Sequence, residues 1–144
     1  MVDIEKICRD AADTAAELGV TLGYAPEDVE KLEDIILPKC RAWYQDGTIT
    51  EEKGVWNFAV LFGIYLGEIM LRNYAQDCGY HWGLRDGNLP VLVKNDGTEM
   101  SPISKTEKRI LNGPEDSVAS FYQVGRLFAE GRLDAAKSSL KPHQ

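Results

Sequence analysis

"WNFAVLFGIYLGEIMLRNY", Trp56 to Tyr74, is the stretch on which the fold turns. It is the most apolar part of the chain, yet it holds two glycines, a glutamate and an arginine. Three readings compete: a membrane anchor, a catalytic helix with a buried acid, and the central helix of a core. The uncharged run from Gly54 to Gly67 is 14 residues, shorter than the ~18–20 a membrane span needs. Asn57 and the glycines weaken the anchor further. Apolar residues on almost every side mark a helix that neighbours cover all round. Gly63 and Gly67, four apart, share a face that lets another helix or a strand approach closely. The same spacing is a membrane-dimer motif only inside a longer apolar segment. The sequence predicts a buried central helix and no membrane span.

The segments before it are helical. Ile4, Ile7, Cys8, Ala11, Ala15 and Leu18 recur at helical spacing and predict a helix from about Val2 to Leu18. Gly19 and Gly23 break it. A second helix is expected to open at Pro26, with Glu27 and Asp28 at the positive end of its dipole. Pro38 lacks a backbone donor, so that helix kinks or restarts towards Trp43 and Tyr44. Thr50, followed by Glu51 and Glu52, is the expected start of the central helix.

After Asp77 the period changes. "YHWGLR", "LPVLVK" and "TEMSPI" are short runs separated by "DGN" and "NDG", which predicts a three-stranded antiparallel meander over about Tyr80 to Ile103. One face of so small a sheet needs cover, and the central helix is the nearest candidate. Ser104 and Glu107 have capping-box spacing and predict a short helix through Leu111. A last helix is expected from Pro114, with Val118, Phe121, Tyr122, Gly125 and Phe128 on its core face. The fold class is α+β: one mainly helical domain, residues 1–136, with a small sheet on the central helix and a frayed tail over 137–144.

Composition narrows function. At 144 residues, with 44% apolar and 27% charged residues, the chain suits one globular domain that needs no disulfide or metal staple. Its start is charged throughout, so no signal peptide is read there. Net charge is −7, with 11 acids against 5 bases over residues 1–50 and 5 against 7 over residues 101–144. Such a surface repels phosphates and anionic lipid and suits a basic protein partner. Cys8, Cys40 and Cys78 are odd in number and far apart, which fits neither a metal knuckle nor a disulfide framework and points to a reducing compartment, the cytoplasm.

Two groups of residues are candidates for chemistry. Glu68 follows the apolar run, where burial would raise a carboxyl towards general-acid range. Arg72 lies one turn on and would instead hold it charged, and Tyr65 could join them. In "DCGYHW", Asp77, Cys78 and His81 could ligate a metal, or Cys78 and His81 could pair as nucleophile and base. A closed metal site needs about four ligands, and no second Cys–His cluster supplies the rest. Phosphate-binding, dinucleotide, metalloprotease and serine-hydrolase motifs are absent from the sequence. No cofactor and no metal are expected.

"FGIYLGE", "YHWG", "LPVLV" and "SPISKTEKRILNG" together resemble a family of small bacterial proteins of unknown function. That family has a Gly-x-x-x-Gly-Glu helix, a Trp-bearing strand, a proline-led strand and a capped helix. The resemblance covers about Val55 to Tyr122, implies a fold, and supplies no catalytic residue. The expectation is a non-enzymatic interaction module, possible in an immunity-type version that neutralises a basic partner. The alternative is a small-molecule binder or hydrolase with a pocket between the central helix and the sheet, lined by Glu68, Arg72, His81 and Trp82. A self-associating protein with an apolar patch near Trp43, Tyr44 or "FYQVGRLF" is the third possibility.

Overall fold

A computed structural model describes residues 2–132 of the chain. Helix α1 (Ile4–Glu17) begins at Asp3, whose carboxylate accepts the Lys6 N–H at 3.1 Å. Helix α2 (Asp28–Lys31) runs through a π-helical turn, Leu32–Ile36, into α3 (Leu37–Gln45). The central helix α4 (Val55–Met70) continues through a second π-helical turn, Leu71–Ala75, and a short 3-10 turn, Gln76–Cys78. Strands β1 (His81–Arg85), β2 (Leu89–Val93) and β3 (Glu99–Met100) form an antiparallel sheet in that order. Helices α5 (Pro102–Asn112) and α6 (Val118–Ala129) follow. The fold is α+β, as the alternation of hydrophobic periods predicts.

The central helix is buried because its glycines admit neighbours. A Cβ on Gly63 would lie 2.6 Å from the Ile103 Cα, and one on Gly67 would lie 2.6 Å from Trp82 Cζ2 and 3.1 Å from Pro102 Cγ. Helix α5 therefore crosses α4 in backbone contact at Gly63, and the outer edge of the Trp82 ring lies against Gly67. Phe62, Ile64, Tyr65, Leu66, Ile69 and Met70 are fully buried around these contacts. From Val55 to Cys78 the helix is 24 residues, long and apolar enough to cross a membrane by length and composition. Here α1, α5 and the sheet cover it.

Element boundaries depart from the sequence in four places, each for a local reason. The central helix starts at Val55 rather than near Thr50, because Thr50 and Lys53 close a turn on each other (Thr50 N–H to Lys53 O, 2.9 Å; Lys53 N–H to Thr50 Oγ1, 3.1 Å). The third strand ends at Met100, because Pro102 already occupies the first turn of α5. Ser104 is therefore inside that helix, bonded to the Ser101 hydroxyl at 2.9 Å, and does not cap it. Pro114 starts only a 3-10 turn; Ser117 is the true cap of α6, accepting the Ser120 N–H at 3.0 Å. The expected tail, and the last part of the expected domain, lie outside the described residues.

Pro38 sits in the first turn of α3, directly after the π-helical turn. Across the π-helical turn the Leu37 N–H bonds to Leu32 O. The next bond in that register would run from residue 38 to Glu33 O, and proline has no hydrogen to give. Arg109 supplies it instead, donating Nη2 to Glu33 O at 3.2 Å. The Arg109 Nε also bonds the Glu33 carboxylate, whose other oxygen accepts the Ser117 hydroxyl (2.5 Å) and the Ala119 N–H (3.0 Å). Glu33 thus ties α2–α3 to α5 and to the positive end of α6. The Arg109 Nη1 is buried with no hydrogen-bond partner among the described residues.

A candidate ligand cleft between α1 and α4

Glu68 is bound on two sides. Its Oε2 accepts the Trp82 indole N–H at 3.0 Å, and its Oε1 faces Arg72 Nη2 at 3.4 Å. The Glu68 side chain is 17% exposed, and that exposed edge opens into a cleft of about 220 Å³ lined by Glu5, Cys8, Arg9, Tyr24, Glu68 and Arg72. The cleft lies between α1 and α4, and on the side towards the sheet the outer edge of the Trp82 ring lies against Gly67. Trp82 lines a separate apolar groove beside Val2, Ile4, Leu84 and Pro90. His81 points away from Trp82 by strand alternation; it is exposed and outside the cleft lining. Of the four residues expected to form a site, Glu68 and Arg72 line the cleft, Trp82 supports it from behind, and His81 takes no part.

Tyr24 is the residue that the sequence did not single out. Its φ is +63°, a left-handed conformation that is unusual for a bulky side chain. The other non-glycine residue with positive φ is Asp86 at +54°, which precedes Gly87 in the β1–β2 hairpin turn that such residues favour. Tyr24 has no turn chemistry to explain it. Hydrogen bonds on every side hold it there. The Tyr24 N–H bonds the Tyr65 hydroxyl at 3.1 Å, and its carbonyl accepts from Asn73 Nδ2 at 3.0 Å. The flanking N–H groups of Gly23 and Ala25 both bond Asp28 Oδ2, at 2.6 and 3.2 Å. Burial alone would raise the Asp28 carboxyl; these N–H groups and Lys31 (2.9 Å) hold it below its usual range.

The result is a layered arrangement. The Tyr24 ring stacks on Tyr65, centroids 4.7 Å apart, and the Arg72 guanidinium covers it at 3.5 Å. Arg72 and Asn73 both belong to the second π-helical turn, a backbone irregularity that recurs at functional sites. Two uncommon backbone conformations thus meet at one cleft.

The cleft brings together two guanidiniums, two carboxylates, a thiol and a phenol. Burial, with the Glu68 carboxylate nearby, pushes the Cys8 thiol up to about 11, against the opposing effects of Tyr24 and Arg72. At neutral pH it is a thiol, not the thiolate that nucleophilic attack requires. The Tyr24 phenol is also raised, by burial first and then by Cys8. Among the described residues no three His, Cys, Asp or Glu side chains are grouped to hold a metal ion, so Cys78 and His81 gain no third ligand.

A larger concavity, about 480 Å³, lies elsewhere, with Met100, Phe121, Val124 and Phe128 along it beside Lys105. It runs along part of "FYQVGRLF" in α6. Lys105 is already paired with Asp116 at 3.1 Å. Glu99 and Glu115 line it as well, but no residue along it has the left-handed backbone that marks Tyr24 in the cleft. Trp43 and Tyr44, the other expected apolar surface, are half-buried. Comparisons of the chain with protein-family models, with curated proteins and with solved structures find no match.

Proposed function

We propose that this protein binds a small polar ligand in the cleft between α1 and α4. The observation that carries the proposal is Tyr24: a strained residue held by its neighbours at the wall of an open cleft, beneath a guanidinium. Strain of this kind costs roughly 1–3 kcal/mol, persists where surrounding structure over-determines it, and concentrates at ligand clamps. Support also comes from the loose ion pairs around the opening, Glu68–Arg72 at 3.4 Å and Glu5–Arg9 at 4.0 Å. Both leave donors and acceptors unsatisfied by protein. The test is mass spectrometry under non-denaturing conditions on protein purified without added ligand, then thermal-shift screening against a metabolite library. A bound small molecule, or a thermal shift that Arg9→Gln removes, is the expected result. Bare mass together with no shift from any library member would sink the proposal.

A second reading has its own observation. Asp13, Glu17, Glu27, Glu30 and Asp34 are exposed and have no ion-pair partner among the described residues. This acidic surface supports association with a basic protein, of the kind an immunity-type protein neutralises, and the three free cysteines suit a reducing cytoplasm. Association steered by these charges slows as salt rises. An on-rate independent of ionic strength would exclude steering.

A further inference from the structure

We infer that the cleft's ligand is a compact aliphatic zwitterion, an amino acid carrying one carboxylate and one ammonium group. The inference rests on the ligand-binding proposal above and adds the chemical class. Four charged side chains line the cleft, two guanidiniums (Arg9, Arg72) and two carboxylates (Glu5, Glu68). Their charges cancel, so a purely anionic or purely cationic ligand meets as much repulsion as attraction. A ligand bearing both signs meets only attraction when correctly oriented. Its carboxylate belongs against the guanidiniums, whose planar forks match it. Its ammonium belongs against the carboxylates.

Each protein charge has capacity to spare. Arg9 stands 4.0 Å from Glu5 and is 65% exposed. Arg72 makes one long contact, 3.4 Å, to Glu68. Glu68 keeps its orientation without a ligand because the Trp82 indole holds its other oxygen at 3.0 Å.

Size and the uncharged wall define the rest of the molecule. The cleft holds about 220 Å³, below the ~300–1,000 Å³ of sites for drug-sized ligands. Both faces of the Tyr24 ring are covered, by Tyr65 and by Arg72. No aromatic face is left there for a ring to stack on, which favours a short aliphatic body. The protonated Cys8 thiol contributes a neutral wall suited to methylene groups.

Titration calorimetry of the whole protein would test this. The zwitterions are glycine, alanine, serine and 4-aminobutyrate. Their single-charge counterparts are acetate, propionate, 3-hydroxypropionate and butyrate without the ammonium, and methylamine, ethylamine, ethanolamine and propylamine without the carboxylate. Concentrations up to about 10 mM reach Kd values near 1 mM. At least one zwitterion should bind saturably, its single-charge counterparts should bind at least about tenfold more weakly, and Arg9→Gln should cost roughly tenfold. Arg9 is exposed, so its loss leaves the fold in place; Glu68→Gln is the second variant, retaining an acceptor for Trp82. Saturable binding of a single-charge compound as tight as any zwitterion would overturn the class and leave the cleft proposal standing. Zwitterion binding untouched by both variants would place it outside the cleft and overturn the inference. Silence from all four zwitterions would overturn it as well, while the cleft proposal is decided separately by native mass spectrometry and the library screen.

Discussion

Gly63, Gly67, Glu68 and Trp82 form one interlock at the scale of single residues. Gly63 admits the α5 backbone, Gly67 admits the Trp82 ring, and Glu68, next in sequence, takes the indole N–H. The Gly-x-x-x-Gly-Glu spacing and the later tryptophan are thus parts of one contact. Obstructing atoms differ between sites, and this ranks substitutions. Alanine at Gly63 would press on the Ile103 Cα, which can move only with its helix. At Gly125 it would meet Tyr74 Oη at 2.9 Å, Met70 Cε at 3.1 Å and Met100 Sδ at 3.4 Å, mostly the ends of flexible side chains. Gly63→Ala should destabilise by about 2–3 kcal/mol or more and Gly125→Ala by about 1 kcal/mol, as overpacking generally does. Urea denaturation of both variants checks the order, and equal losses would contradict it. Trp82→Phe removes the donor to a largely buried carboxylate together with the outer ring atoms that lie against Gly67. It should cost about 1–3 kcal/mol. A Trp82→Phe protein as stable as the parent would mean that Glu68 finds water in its place.

At the scale of elements, the two π-helical turns explain most of what periodicity missed. Proline in a helix interior costs about 3 kcal/mol, so Pro38 reads as a break. In the fold, the widened turn before it and the Arg109 guanidinium on Glu33 O remove most of that cost. Pro38→Ala should therefore change stability by less than about 1 kcal/mol, the unfolded-chain entropy of proline working against any gain. A gain near 3 kcal/mol would show that the helix was strained after all. Glu33 is the opposite case. Burial by itself would raise its carboxyl, but Ser117, the Ala119 N–H and Arg109 hold it below the usual range. Removing its charge leaves the Arg109 guanidinium, 4% exposed, without a counter-charge. Glu33→Gln should cost about 3–5 kcal/mol at pH 7. With a depressed folded pKa, the Glu33 contribution is complete above the unfolded value of ~4.3 and is lost as pH falls through the folded value. The cost of Glu33→Gln should shrink below about pH 4, and a cost constant down to pH 2 would contradict the assignment. Nothing in the spacing of "KLEDII" distinguishes Glu33 from Glu30 or Asp34. Only packing against α5 and α6 does so.

For the whole molecule, the sequence carried the parts governed by period and excluded those governed by distance. Alternating apolar residues and two Asp-Gly or Asn-Asp-Gly turns made the sheet legible, and an all-round apolar helix made the core legible. The cleft was half legible. Glu68 and Arg72 stand one turn apart on one helix, while Cys8 and Arg9 on α1, and Tyr24 in the loop after it, join them only when the chain folds. The left-handed Tyr24 had no local signal, because four hydrogen bonds from Tyr65, Asn73 and Asp28 impose it. Cys8 and Cys40 were legible as buried hydrophobes, and that burial has a consequence for the molecule as a whole. It pushes the Cys8 thiol to about 11 and the Cys40 thiol to about 12, and it pushes the Tyr65 phenol to about 12. Each folded pKa lies above its unfolded value, near ~8.5 for cysteine and ~10 for tyrosine. In that interval the folded chain holds protons that the unfolded chain has released. Stability is therefore complete below about pH 8.5 and falls as pH rises towards the folded values. One such group contributes a slope of about 1.4 kcal/mol per pH unit. Cys40 is fully buried, so Cys40→Ala removes one proton from this linkage along with some packing. The variant should be less stable at pH 7, by an amount set by the small cavity, and its stability should fall about 1.4 kcal/mol per unit less steeply between pH 9 and 11. Denaturant unfolding at fixed pH values measures both quantities on the same samples. Parallel alkaline limbs for the two proteins would mean that the Cys40 thiol ionises as readily in the folded chain as in the unfolded one, and that the packing around it admits water.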